Sequence, residues 1–136
     1  MITEDVTTKF AVRVKLDTAL IDLLEKSFNG EIIRPSDAGY DEARIVWNAM
    51  IDRRPGLIVR CTGTADVVQA VRFARQHGLL SSVRGGGHNI AGLAMCDGGL
   101  VIDLSQMKNV KVNAANRRAT VEAGATLGDF DAATQA

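Results

Sequence analysis

Residues 56–85 read GLIVRCTGTADVVQAVRFARQHGLLSSVRG, and the order of patterns within them decides the fold class. GLIVRC (56–61) follows Pro55 as a short apolar run rich in β-branched residues, which predicts a strand. TADVVQAVRFARQHG (64–78) changes period. Val67, Val71 and Ala74 share a helical face, Thr64 stands at the N-cap, and Gly78 supplies a C-terminal stop. LLSSVRG (79–85) is strand-like again. A strand, a helix and a strand in this order predict a βαβ unit with a right-handed crossover.

Downstream, GLVIDLS (99–105) predicts another buried strand, and 109–125 a hairpin. There Val110 and Val112 alternate with Lys111 and Asn113, and Ala119 and Val121 alternate with Thr120 and Glu122, across an Ala-Ala-Asn turn. TLGDFDAATQA opens a helix, with Thr126 as cap and Asp129 in the first turn. No stop signal or closing strand follows, so residue 136 reads as a cut end.

Upstream, LDTALIDLLEKSFNG (16–30) predicts a helix with Leu20, Leu23, Leu24 and Phe28 on one stripe, Asp17 as cap and Gly30 as stop. EIIRP is a short strand ended by Pro35, residues 38–50 a turn and an irregular helix, and residues 1–13 a polar, ragged start. The expected class is α+β: a mixed sheet with flanking helices. It divides into a helical and extended lead-in, residues 1–53, and a second region, residues 54–136.

Composition excludes several functions. The chain has 136 residues, 46% of them hydrophobic, with 16 basic and 16 acidic side chains interspersed. A zero net charge, one Trp and one Tyr argue against a nucleic-acid partner. No apolar run reaches the roughly 18–20 residues of a membrane span. The first ten residues, MITEDVTTKF, lack the apolar centre of a secretory signal. Cys61 and Cys96 make no disulfide framework, so a cytoplasmic location is expected, and two histidines and two cysteines at no ligand spacing argue against zinc. The composition leaves the oligomeric state open.

The chemistry concentrates in VRGGGHNIAG (83–92). Without a Cβ, Gly85, Gly86 and Gly87 allow positive φ and close backbone approach to a ligand, and consecutive amides form a nest for phosphate oxygens. Arg84 adds charge beside them, and Asn89 a neutral hydrogen-bonding group. The stretch lacks the Gly-Lys-Ser/Thr of a Walker loop. It lacks the dinucleotide fingerprint as well, because the next glycine after GGG is Gly92. Taken bare, it is equally a tight turn, and His88 is either a polar residue beside that turn or an imidazole placed to contact what the glycines hold. His77, before Gly78, is read as a partner of helix-terminal carbonyls, Asp103 as a turn residue, and DRRP and NRRA as solvated charges.

Four segments in order, RPGLIVRC, TADVVQAVRFARQHGL, SVRGGGHNIAG and GGLVIDLSQMKNVKV…ATVEAGATLGD, resemble the N-terminal flavin-binding region of the FAD-linked oxidases. This is the family of p-cresol methylhydroxylase and vanillyl-alcohol oxidase. The nearest likeness is to berberine-bridge-enzyme-like and 6-hydroxynicotine-oxidase-like members, over residues 54 to about 133. The resemblance implies a PCMH-type FAD-binding domain in which Arg84, Gly85, Gly86, Gly87, His88, Asn89 and Gly92 bind FAD. It implies that 84–89 wrap the pyrophosphate and that His88 is bonded to the flavin 8α-methyl carbon. It implies an oxidase that takes a hydride from a small-molecule substrate and passes electrons to molecular oxygen, with catalytic residues outside this chain. Some members also attach flavin through a cysteine well downstream of the histidine; neither Cys61 nor Cys96 matches that position, and both are read as small buried side chains. Two other outcomes stay in view: a non-enzymatic fragment acting as an interaction module, and the related reductases with non-covalent FAD, which lack a histidine after the glycines.

Overall fold

A computed structural model describes residues 2–135. Its centre is a mixed four-stranded sheet in the order β3-β4-β6-β5, formed by β3 (Glu31–Ile33), β4 (Leu57–Arg60), β5 (Ser81–Arg84) and β6 (Leu100–Asp103). β3 runs antiparallel to β4, while β6 lies parallel to both β4 and β5. The strands of the anticipated βαβ unit, β4 and β5, are therefore not neighbours, because β6 is inserted between them. The α+β class with a mixed sheet and flanking helices is as expected.

The core follows the two-residue period of the strands. Leu57, Val59 and Cys61 pack with Ile21, Leu24, Phe28, Ala70, Phe73 and Ala74. These come from α1 (Thr18–Ser27), the residue after it, and α3 (Thr64–Gln76). Ile58 and Val101 point the opposite way, into a second cluster with Tyr40, Ala43, Val46, Met95 and Cys96. Both faces are thus covered, as parallel strands require. Tyr40 and Ala43 belong to α2 (Tyr40–Ala43), one turn rather than the irregular helix expected over 38–50. Both thiols are free and buried. Burial pushes Cys61 up to about 12, with the carboxylates of Asp66 and Asp103 adding to the effect, and burial raises Cys96 as well.

Several boundaries differ from expectation. Residues 3–7 are not ragged: β1 (Thr3–Thr7) pairs antiparallel with β2 (Arg13–Asp17), burying Val6 and Leu16. β2 includes Leu16 and Asp17, where the sequence predicts the start of α1. Asp17 does cap that helix, accepting from the Ala19 N–H at 2.9 Å. The helix ends at Phe28, which is already extended, so Gly30 is not its stop. A Cβ on Gly30 would stand 1.9 Å from the Arg60 carbonyl oxygen, so this glycine serves a close crossing to β4. Ile21 takes the buried position on α1, while Leu23 is 60% exposed. On α3 the N-cap is Gly63 rather than Thr64, and Ala70 and Phe73 carry the inner face while Val71 is 49% exposed. Gly78 adopts φ +61° after the helix, a glycine stop as anticipated. His77 leans on the Phe73 ring, with centroids 4.6 Å apart. The expected hairpin forms from β7 (Val110–Asn113) and β8 (Arg118–Val121), with Val110 opposite Val121 and Val112 opposite Ala119. Its turn extends one residue further, with Arg117 at φ 50°.

Asp66 ties α3 to the segments that follow α1 and β4. It is 1% exposed and accepts from the Asn29 N–H (2.9 Å) and Nδ2 (3.4 Å), and from the Thr62 N–H (2.9 Å) and Oγ1 (2.8 Å). Burial pulls its pKa upward, but these hydrogen bonds together outweigh burial and hold the carboxyl below its ordinary value. Because the folded value lies below the unfolded one, this contribution is complete above the unfolded value, about 3.9. It is lost as pH falls through the folded value. Asp66→Ala strands two peptide N–H donors and is expected to cost about 3 kcal/mol at neutral pH. Urea unfolding checks this, and the gap between variant and wild type is expected to narrow as the wild-type carboxylate protonates.

Candidate functional site: the glycine loop and its cleft

β5 and β6 end side by side at Arg84 and Asp103. The carboxyl end of parallel strands is where open α/β sheets place ligands, and the glycine loop leaves β5 there. Gly87 sits at φ +75°, a conformation that a side chain rarely adopts. Among the described residues, the peptide N–H groups of Gly86, Gly87, His88 and Asn89 donate to no protein acceptor. Four consecutive free amides are the raw material of an anion nest.

The opposite wall comes from α4 (Leu127–Thr134). A cleft of about 450 Å³ is lined by Gly86 and His88 on one side and by Ala125, Thr126, Leu127 and Gly128 on the other. Thr126 caps α4, accepting from the Asp129 N–H at 3.3 Å, while Asp129 Oδ2 accepts from the Thr126 N–H and Oγ1, each at 2.8 Å. These bonds hold the Asp129 carboxyl below its ordinary value. The box satisfies the third helical amide; those of Leu127 and Gly128 have no partner within the helix. The positive end of the helix dipole thus borders the cleft.

The two walls are held together by a backbone contact. A Cβ on Gly85 would lie 2.4 Å from the Ala123 carbonyl oxygen, so only glycine lets the chain before α4 approach the end of β5. At Gly86 the nearest atom to such a Cβ is His88 Cδ2 at 3.7 Å.

The remaining residues singled out in the sequence shape the loop. Arg84 turns inward: its Nη1 donates to the Ala43 carbonyl, its guanidinium lies against Gly87, and its buried Nε has no acceptor among the described residues. Asn89 accepts the Leu93 N–H on Oδ1 (3.0 Å) and the Gly92 N–H on its carbonyl (3.0 Å), closing the next turn. Gly92, at φ +71°, lies under Ile51. The cleft lining therefore unites Gly86 and His88, while Arg84, Gly85, Gly87, Asn89 and Gly92 set the path of the loop. Asp103, 1% exposed, accepts from the Ser105 N–H at 2.9 Å and pairs with Arg60 Nε at 3.2 Å, so it is an ion-pair partner as well as the expected turn residue.

Two contributors carried no signal in the sequence. The Trp47 N–H donates to the Gly87 carbonyl (3.0 Å), and Asn48 Nδ2 donates to the Ile90 carbonyl (2.9 Å), clasping the loop on both sides of His88. The Trp47 indole stacks on the His88 ring. Thr126 was legible as a helix cap, but not as the far wall of a cleft that begins forty residues earlier in the chain.

Comparison with known proteins identifies the family and its cofactor. A family model described as FAD binding domain matches residues 55–136. The chain belongs to the FAD-linked oxidase family and is an N-terminal portion of its FAD-binding domain, and its cofactor is FAD. Among curated proteins, (R)-6-hydroxynicotine oxidase of Paenarthrobacter nicotinovorans is 43% identical over 104 residues, which cover 76% of this chain and 23% of that protein. The crystal structure of 6-hydroxy-D-nicotine oxidase from Arthrobacter nicotinovorans matches with a TM-score of 0.78 at 40% identity, over 89% of this chain and 25% of that one. BBE-like 1 of Physcomitrella patens matches with a TM-score of 0.75 at 33% identity, over 85% of this chain and 25% of that one. The chain thus spans about a quarter of the length of these relatives. At the level of the family the activity is that of an oxidoreductase.

The residues present fit the cofactor. A pyrophosphate needs clustered amide donors and room for backbone approach, and the loop offers free amides from Gly86 to Asn89 with open space beside Gly86.

Proposed function

We propose that the chain is the part of a flavin-dependent oxidase that grips the FAD pyrophosphate and carries the flavin on His88. One observation carries this reading: a loop whose amides from Gly86 to Asn89 have no protein acceptor sets Gly86 and the exposed His88 imidazole in a cleft shared with the amino-terminal turn of a capped helix. When bound, FAD supplies a two-electron acceptor and an electron-poor 8α-methyl carbon.

The protein's part is to hold and to orient. Amides of 86–89, together with those of Leu127 and Gly128, meet the pyrophosphate charge without a lysine, which accounts for a phosphate site in a loop lacking one. Arg84 stiffens the loop from beneath through the Ala43 carbonyl. The exposed His88 imidazole would hold one ring nitrogen toward the 8α carbon of a bound flavin. In the whole enzyme, a small organic substrate gives up a hydride and molecular oxygen takes the electrons, a reading supported by the oxidases among its relatives. Acid precipitation of the full-length gene product tests the attachment: the pellet is expected to stay yellow. A colourless pellet with all flavin in the supernatant contradicts it.

A further inference from the structure

The Trp47 and His88 rings stack with centroids 5.7 Å apart and planes 21° from parallel. Core burial does not account for this placement, since the Trp47 side chain is 70% exposed. The main chain holds it there instead. The Trp47 N–H is bonded to the carbonyl immediately before His88, and the next side chain, Asn48, is bonded to the carbonyl of Ile90. One short segment thus clamps both flanks of His88 and lays a flat ring on its imidazole. A stacked neighbour restricts rotation about the terminal torsion of a histidine, which is otherwise broad. It also occupies one face of the ring, leaving the nitrogen lone pair in the ring plane free to meet a carbon in the cleft.

We propose that Trp47 is a positioning residue for covalent flavin attachment: it holds the His88 imidazole in the plane from which a ring nitrogen reaches the 8α carbon. The inference rests on the reading of His88 as the attachment residue. The bond formed joins that nitrogen to the 8α carbon. One C–H and the imidazole N–H are broken, and the two electrons and two protons released reduce molecular oxygen to hydrogen peroxide.

The test uses the full-length gene product, prepared flavin-free and mixed with excess FAD in air. Total bound flavin is read after desalting, and covalent flavin by in-gel fluorescence after denaturation. Trp47→Ala is expected to bind as much total flavin as wild type while forming the covalent bond roughly 100-fold more slowly, the scale of a misplaced reacting group. Trp47→Phe, which keeps a flat ring, is expected to restore most of the rate. Covalent attachment at the wild-type rate in Trp47→Ala overturns the inference, as does a parallel loss of total and covalent flavin or a Trp47→Phe variant as slow as the alanine. Absence of covalent flavin in wild type, or its persistence in His88→Ala, overturns the attachment reading itself and the inference with it. A wild-type rate in Trp47→Ala with attachment still dependent on His88 overturns the inference alone.

Discussion

Replacing His88 by alanine is expected to convert a flavin that survives denaturation into one that is washed away, with covalent flavin falling from full occupancy to none. The fold is expected to survive, because the imidazole is exposed and makes no side-chain hydrogen bond among the described residues. Surface changes of this kind usually shift stability by no more than about 0.5 kcal/mol. Initial FAD binding is expected to persist as well, since the donors assigned to the pyrophosphate are peptide amides that the substitution leaves in place. The informative pattern is therefore a yellow native protein that bleaches on acid treatment or prolonged dialysis. Fluorescence of the protein band on a denaturing gel reads it directly.

A second large effect is expected at Gly85, which lines no part of the cleft. A Cβ there would stand 2.4 Å from the Ala123 carbonyl oxygen, and its absence lets the segment leading into α4 lie against the end of β5. A valine there must push backbone away from backbone, with no flexible side chain to yield. The glycine loop and the α4 terminus then separate, and amides from the two walls can no longer meet one pyrophosphate. Losing two charge-assisted hydrogen bonds, about 1.5–3 kcal/mol each, corresponds to a fall in FAD affinity of roughly 100-fold or more. Gly85→Val is also expected to lower Tm. Gly86→Ala provides the contrast: no atom lies closer than 3.7 Å to its Cβ position, so Tm is expected to stay at the wild-type value. Fluorescence titration with FAD and thermal unfolding of both variants check these outcomes.

What was legible in the sequence was what local physics controls. Strands β4 and β6 announced themselves as apolar runs because they are buried on both faces, and the alternation in 110–121 marked the two strands of the hairpin. The insertion of β6 between β4 and β5 was not legible, since sheet order depends on pairing between distant segments. Strand β1 was missed for a related reason. TEDVT is polar and short, and its place depends on tertiary hydrogen bonds: the Thr7 N–H to the Gly98 carbonyl at 2.6 Å and the Leu80 N–H to the Thr7 carbonyl at 2.8 Å. Val71 and Leu23 show the limit of helical periodicity: each falls on an apolar stripe of its helix yet stands largely in water.

The candidate site divides in the same way. Three consecutive glycines beside a histidine stand out in any reading, because a chain gives up side chains only where the backbone has special work. Trp47 and Asn48 had no such mark, as their roles depend on where the chain returns in space. Asp66 sat unremarked in a helix, although its four hydrogen bonds join that helix to Asn29 and Thr62.

A covalent bond between flavin and His88 can be read directly by mass spectrometry of a tryptic digest. Cleavage after Arg84 and Lys108 releases one peptide, Gly85–Lys108, which contains His88 and no other histidine. In the full-length flavoprotein this peptide is expected to carry the mass of one FAD less two hydrogens, with fragmentation placing the addition on His88. The unmodified peptide as the only form, or flavin found on another residue, would contradict it.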